Sequence, residues 1–166
     1  MTKKTKITIV GSGYVGMSLS VLLSQKNDVI ILDIDKEKIE KINNKQSTVV
    51  DKEIELFFSE KSLSLIATSD KKIAYKEADF IVVATPTDYD SSKNFFDTSS
   101  VDKVVEDIQK HNSDAMIIIK STIPVGHTKM LQEKFSTKQI IFSPEFLREG
   151  QALRDNLYPS RIIIGS

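Results

Sequence analysis

An apolar run, Ile7-Thr8-Ile9-Val10, breaks directly into Gly11-Ser12-Gly13-Tyr14-Val15-Gly16, and behind the glycines Val15, Leu19, Leu22 and Leu23 recur at helical spacing. A strand that must turn within a few residues into a helix leaves few folds open to a chain. In a dinucleotide-binding unit the first glycine of such a loop permits the tight turn, the second lets the backbone approach a pyrophosphate, and the third lets the helix lie close on the strand. Phosphates then sit at the helix N-terminus, where unpaired N–H groups and the positive end of the helix dipole favour an anion. Three glycines at this spacing also occur in plain structural turns, so the remainder of the chain has to decide.

The next apolar run, Val29 to Leu32, ends at Asp33, seventeen residues after Gly16. That is where the dinucleotide pattern places an acid that accepts hydrogen bonds from the adenosine ribose hydroxyls. A surface aspartate after a strand is the alternative. An acid here repels a ribose 2′-phosphate, which favours NAD over NADP. Residues 36–43 read as a helix carrying Ile39 and Ile42, whose Lys38 either reaches the adenosine end or is a solvated helix lysine. Ile54 to Phe58 reads as a small helix, Leu63 to Ala67 alternates like a strand, and Ile73 to Ala78 reads as one short helix. Phe80 to Ala84 is a nearly unbroken apolar run suited to a buried central strand. Apolar runs recurring with helical stretches between them define the expected fold class: α/β, a Rossmann-like doubly wound parallel sheet with helices on both faces.

Pro86 stops the central strand, because proline lacks an N–H and restricts the residue before it. Ligands of open α/β sheets bind off the carboxyl edge, so Thr85 and Thr87 are either cofactor contacts or ordinary turn hydroxyls. Asp88 to Asp97 reads as a polar, mobile loop. Thr98 or Asp97 can cap the following helix, whose Val101, Val104, Val105 and Ile108 form a packing stripe. Ala115 to Ile119 is another buried strand, followed by Lys120-Ser121-Thr122-Ile123-Pro124. A helix over about 125–135 and a strand over 139–142 lead to Ser143-Pro144-Glu145-Phe146-Leu147-Arg148-Glu149-Gly150. If Phe146 to Arg148 is helical, Glu145 and Glu149 share a face and repel each other unless something lies between them. Such a pair either divides acid and base roles or is solvated, with Arg148 or Arg154 nearby. His127 reads as a surface or satisfied histidine rather than a catalyst.

Composition narrows the chemistry. Twenty-three Lys and Arg balance 23 Asp and Glu over 166 residues, so no basic field draws the chain onto nucleic acid or an anionic membrane. Any phosphate must be held locally. With no cysteine and two histidines far apart, there is neither a thiol nucleophile nor a zinc constellation, and no metal is expected. The apolar run behind the basic first residues is too short for a signal-peptide core or a membrane span, which makes the cytoplasm the expected location.

Gly11 to Gly16, Lys120 to Pro124 and Ser143 to Gly150 together resemble the UDP-glucose/GDP-mannose dehydrogenase family. Ala84-Thr85-Pro86-Thr87, Phe95-Phe96-Asp97 and Asn156-Leu157-Tyr158-Pro159-Ser160-Arg161 agree with it. The resemblance covers nearly the whole chain and implies that residues 1–166 are the N-terminal NAD-binding domain. Family members oxidise a sugar's primary alcohol twice with two NAD⁺, through an aldehyde and a cysteine thioester that is then hydrolysed. Carried over by motif, Gly11, Ser12, Gly13, Tyr14, Val15 and Gly16 hold the pyrophosphate, Asp33 and Lys38 the ribose, and Thr87 and Thr122 line the cofactor site, where Thr85 is a further candidate. Thr122 also positions the hydrolytic water, Glu145 is the general base and Glu149 faces the nicotinamide. Glu145, Phe146, Leu147, Arg148 and Glu149 touch the nucleotide sugar, UDP-glucose in the leading expectation. UDP-N-acetylmannosamine and GDP-mannose are the rival substrates, and a non-catalytic NAD-sensing module is the rival of another class. The family's cysteine, central dimer helix and most of the sugar pocket lie in later domains, so this chain alone is expected to be inactive and monomeric, whereas intact members are homodimers.

Overall fold

In the computed structural model, which describes residues 4–92 and 95–165, the chain begins with β1 (Lys6–Val10), α1 (Tyr14–Leu23), β2 (Asp28–Leu32), α2 (Lys36–Asn43), α3 (Lys52–Glu60), β3 (Leu65–Thr68) and α4 (Lys71–Tyr75). It continues with β4 (Phe80–Val83), β5 (Asp88–Asp90), β6 (Phe95–Asp97), α5 (Ser99–His111), β7 (Met116–Ile119), α6 (His127–Lys134), β8 (Ile140–Phe142) and α7 (Ala152–Leu157). Six strands form one sheet in the order β3-β2-β1-β4-β7-β8, every pairing parallel. Strand order reverses between β1 and β4, the doubly wound arrangement whose ligand crevice lies outside the carboxyl ends at that point.

Alternation along the strands assigns the two faces. Ile7 and Ile9 of β1, Val29 of β2 and Val82 of β4 pack with Leu19 and Leu23 of α1. Beside them Met17 and Val21 of α1 meet Ile31 and residues of α2, α3 and α7. On the opposite face Val10, Ile81, Val83, Ile117 and Ile119 meet Ala74 of α4, Val101, Val105 and Ile108 of α5 and Leu131 of α6. A parallel sheet covered on both sides needs mostly apolar strands. The polar residues within these are Lys6 and Asp28 at strand starts, Thr68 at a strand end, and Thr8, whose buried hydroxyl donates to the Ala74 carbonyl. Among the described residues no helix is long and apolar enough to cross a membrane.

Three readings change. Residues 88–97 contain a hairpin, with Tyr89 opposite Phe96 in the antiparallel pair and their rings 4.7 Å apart; a cross-strand aromatic pair stabilises strands that look merely polar along the chain. Residues 143–148 are irregular, so Glu145 and Glu149 do not share a helical face. The helix α7 was not foreseen. It is six residues long, too short to stand alone, and packs against α1 and α3 through Leu153.

Asp51 explains how α7 is placed. Its carboxylate, 2% exposed, accepts the Glu53 and Ile54 N–H groups as the cap of α3, and the Leu153 N–H at 3.3 Å. Removing it strips a cap and leaves a buried N–H unpaired, so Asp51→Ala is expected to lower stability by about 2–3 kcal/mol in chemical denaturation. An unchanged denaturation midpoint would contradict this role.

Candidate nucleotide-binding edge

Backbone hydrogen bonds align the strand ends in one row. Ser143 N–H donates to Ile119 O, Lys120 N–H to Val83 O, Ala84 N–H to Val10 O and Gly11 N–H to Leu32 O, all at 2.9 Å, and Asp33 N–H to Thr68 O at 3.1 Å. Because every strand of the six-stranded sheet is parallel, the glycine loop, Asp33, Thr85, Lys120, Thr122 and Glu145 all emerge at the same carboxyl edge.

The glycines divide by what surrounds them. Gly11 has φ +99°, and a Cβ there would lie 2.6 Å from the Ala84 carbonyl oxygen. A Cβ on Gly16 would overlap the Gly11 carbonyl oxygen. Gly13 is exposed, and a Cβ on it would meet nothing within 4 Å. Two glycines therefore serve the turn, while the third faces open space where a ligand backbone approach belongs. The first backbone bond of α1 runs from Met17 N–H to Gly13 O; the turn before it has no side-chain cap and no acidic residue. An uncapped, acid-free helix start is suited to an anion.

Asp33 is half-buried beside this loop. Its Oδ2 accepts the Ser12 N–H at 2.9 Å and the Ser12 hydroxyl at 2.5 Å, and its Oδ1 accepts the Asp35 N–H at 3.0 Å. Ile34, next in the chain, is 94% exposed. Lys38 stands in the first turn of α2, half-buried, and its ammonium forms no ion pair among the described residues. The backbone of residues 85–86 is pinned: Ser121 Oγ donates to Thr85 O at 2.6 Å and Ser100 Oγ donates to Pro86 O at 2.7 Å. Thr87 is half-buried at the foot of the hairpin and Thr122 is exposed.

Glu145 and Glu149 occupy different surroundings. Lys120 Nζ lies 3.0 Å from Glu145 Oε2, with both side chains under one-fifth exposed, and donates to Ser143 Oγ at 3.3 Å. Glu149 is exposed in the turn before Gly150. Neither arginine pairs with these acids. Arg148 makes a two-pronged clasp with Asp155, and Arg154 lies 3.6 Å from Glu53. The Arg148 hydrogen bonds hold the Asp155 carboxyl below the usual carboxylate range, so the clasp is closed at neutral pH. Phe146 is half-exposed under the Arg161 guanidinium, 4.3 Å from its ring centre, and Leu147 is partly buried. His127 is satisfied, its Nε2 2.6 Å from Asp102 Oδ1, as the sequence suggested.

Sequence reasoning missed Lys120 and Thr48. Lys120 carried a signal, standing with Thr122 at the end of a buried apolar run. Thr48, whose hydroxyl donates to Ser12 O at 2.6 Å, carried none.

The sheet order, the open Gly13 and the acid at the end of β2 define a dinucleotide-binding α/β domain. The chain belongs to the UDP-glucose/GDP-mannose dehydrogenase family, matching its NAD binding domain over residues 5–166. It is 56% identical over 162 residues to a UDP-glucose 6-dehydrogenase of Campylobacter jejuni, covering 96% of this chain and 41% of that protein. It is 52% identical over 161 residues to a UDP-glucose 6-dehydrogenase of Streptococcus pneumoniae, covering 97% and 41%. Among solved structures, a GDP-mannose dehydrogenase from Pseudomonas aeruginosa superposes with TM-score 0.83 at 25% identity, covering 96% of this chain and 40% of that one. A UDP-glucose dehydrogenase from Pyrobaculum islandicum also gives 0.83, at 23% identity, covering 99% and 41%. The chain thus spans about two-fifths of the length of these relatives. NAD is the cofactor of this domain family, and the open Gly13, the uncapped start of α1 and the anchored Asp33 fit it.

Proposed function

We propose that the chain is the NAD-binding half of a dehydrogenase that oxidises the primary alcohol of UDP-glucose to the carboxylate of UDP-glucuronate. The observation that carries this reading is the row of strand ends, which gathers a glycine loop open at Gly13, an acid and a lysine-paired glutamate on one edge. The names borne by the two relatives above 50% identity support the choice of sugar. Gly13, Tyr14 and Val15 would hold the pyrophosphate on a turn built by Gly11 and Gly16. Ser12, expected from the motif to join them, is buried with its N–H, hydroxyl and carbonyl all bonded within the chain and supports the loop instead. Asp33 and Lys38 would hold the adenosine ribose, and Thr85, Thr87, Thr122 and Glu149 the remainder of the cofactor. Bound NAD supplies a hydride acceptor.

The chain's own residues then serve the hydrolytic half of the reaction. Glu145 takes a proton from water as that water adds to the acyl carbon of a thioester, the C–S bond then breaks and the sulfur leaves as a thiolate, and the Thr122 hydroxyl orients the water without titrating. Lys120 keeps Glu145 Oε2 from turning away. Phe146, Leu147 and Arg148 shape the segment against which the sugar nucleotide lies. Since the 166 residues contain no cysteine, the thiol of that thioester comes from outside them. NAD and nucleotide sugars are cytoplasmic metabolites, so the reading places the chain there, as a monomer when these residues stand alone.

Calorimetry tests the reading. NAD is expected to bind the wild type, and Asp33→Ala to weaken it about tenfold or more, or at least about 1.4 kcal/mol. With UDP-glucose and NAD together these residues alone should release no NADH in the steady state. Absence of NAD binding, or sustained NADH release, would overturn the proposal.

A further inference from the structure

We propose that Ser12 is a positioning residue that locks Asp33 so that its carboxylate presents a single acceptor, on Oδ1, to the adenosine ribose. This rests on Asp33 meeting that ribose, as proposed above. Every polar group of Ser12 is committed within the chain. Its N–H and hydroxyl both donate to Asp33 Oδ2, at 2.9 and 2.5 Å, and its carbonyl accepts the Thr48 hydroxyl at 2.6 Å. The residue is 1% exposed, so water does not compete for these bonds.

A carboxylate offers about four lone-pair sites. Ser12 takes the two on Oδ2, and the Asp35 N–H takes one on Oδ1. One remains. With Oδ2 gripped from the loop side, the carboxylate cannot rotate to clasp both hydroxyls of a ribose diol, nor swing aside to relieve repulsion from a 2′-phosphate. Ser12 thereby ties selectivity for NAD over NADP to the first variable position of the glycine loop, a place where the usual pattern assigns a side chain no role.

Calorimetry with NAD, NADP and inorganic pyrophosphate on the wild type, Ser12→Ala, Asp33→Ala and the double variant separates this role from simple support of the loop. Ser12→Ala is expected to weaken NAD about fivefold, from the loss of one hydrogen bond to a charged group, and to narrow the NAD-to-NADP affinity ratio. It should leave pyrophosphate binding unchanged, and in the Asp33→Ala background it should cost nothing further for NAD. Additive losses, an unchanged NAD-to-NADP ratio, or pyrophosphate weakening in step with NAD would overturn the proposal. Wild-type protein provides a test that needs no variant. Removing the adenosine 2′-hydroxyl and removing the 3′-hydroxyl from NAD should cost unequal affinity, because one acceptor is on offer; equal losses would overturn it. Asp33→Ala alone reports on the underlying reading. If it binds NAD as the wild type does, the ribose assignment falls and this inference with it. If Asp33→Ala is weak while Ser12→Ala is not, only the inference falls.

Discussion

Gly16→Val is expected to prevent stable folding, and Gly16→Ala to impair it severely. The reason is contained in the Cβ itself. On the backbone of α1 a Cβ at Gly16 would overlap the carbonyl oxygen of Gly11, and behind it the Ile9 side chain lies 3.5 Å away. Backbone cannot step aside as the end of a flexible side chain can. The Gly11 N–H is bonded to Leu32 O, and Met17, the neighbour of Gly16, is fully buried, so α1 could move only by opening the core on its face of the sheet. A cost on the order of 4 kcal/mol is a large part of the roughly 5–15 kcal/mol that holds a domain folded. Circular dichroism and thermal unfolding of the purified variants would read the effect. A Gly16→Val protein that melts like the wild type would show that α1 does not need its observed close approach to β1.

Three residues earlier the same substitution should do the opposite. Gly13→Val is expected to leave the fold within about 1 kcal/mol of the wild type, since a Cβ there meets nothing within 4 Å and the residue has φ −77° and ψ −167°, which any amino acid adopts. Its affinity for NAD should nevertheless fall by about a hundredfold or more, equivalent to about 2.7 kcal/mol, because the isopropyl group projects into the open space in front of α1 that we propose for the pyrophosphate. Thermal unfolding and calorimetry on the same preparation give both numbers. Retained NAD affinity would remove the pyrophosphate from this loop. The two variants together separate the glycine that builds the turn from the glycine that serves the ligand, a distinction the spacing alone does not make.

Much of the architecture was legible because its signals are local. The runs at 29–32, 80–84 and 115–119 are apolar enough for strands buried on both faces, and they form β2, β4 and β7 within a residue or two at each end. Val101, Val104, Val105 and Ile108 announced the buried face of α5 by helical spacing alone. Where the reading changed, the deciding contact was one that helical or strand periodicity does not register. Tyr89 and Phe96 make a hairpin only by facing each other. The carboxylates of Glu145 and Glu149 do not share a helical face because residues 143–148 are irregular, with Glu145 tied to Lys120 and Arg148 to Asp155. Ala152 to Leu157 becomes a helix against α1 and α3, with its first turn tied to Asp51, 102 residues away from Leu153.

The Ile7 to Gly16 stretch shows where the boundary lies. From the sequence came the strand, the turn, the helix, the acid at the end of the second strand and hence a sheet that binds a dinucleotide at its carboxyl edge, because apolar periodicity and glycine spacing are properties of neighbouring residues. Only the tertiary structure decided that Gly11 and Gly16 are closed to any side chain while Gly13 is open, that Ser12 grips the carboxylate of Asp33, and that Glu145 is paired with Lys120 whereas Glu149 faces solvent. Those outcomes depend on distances between segments brought together by the sheet order, and no local pattern carries such distances.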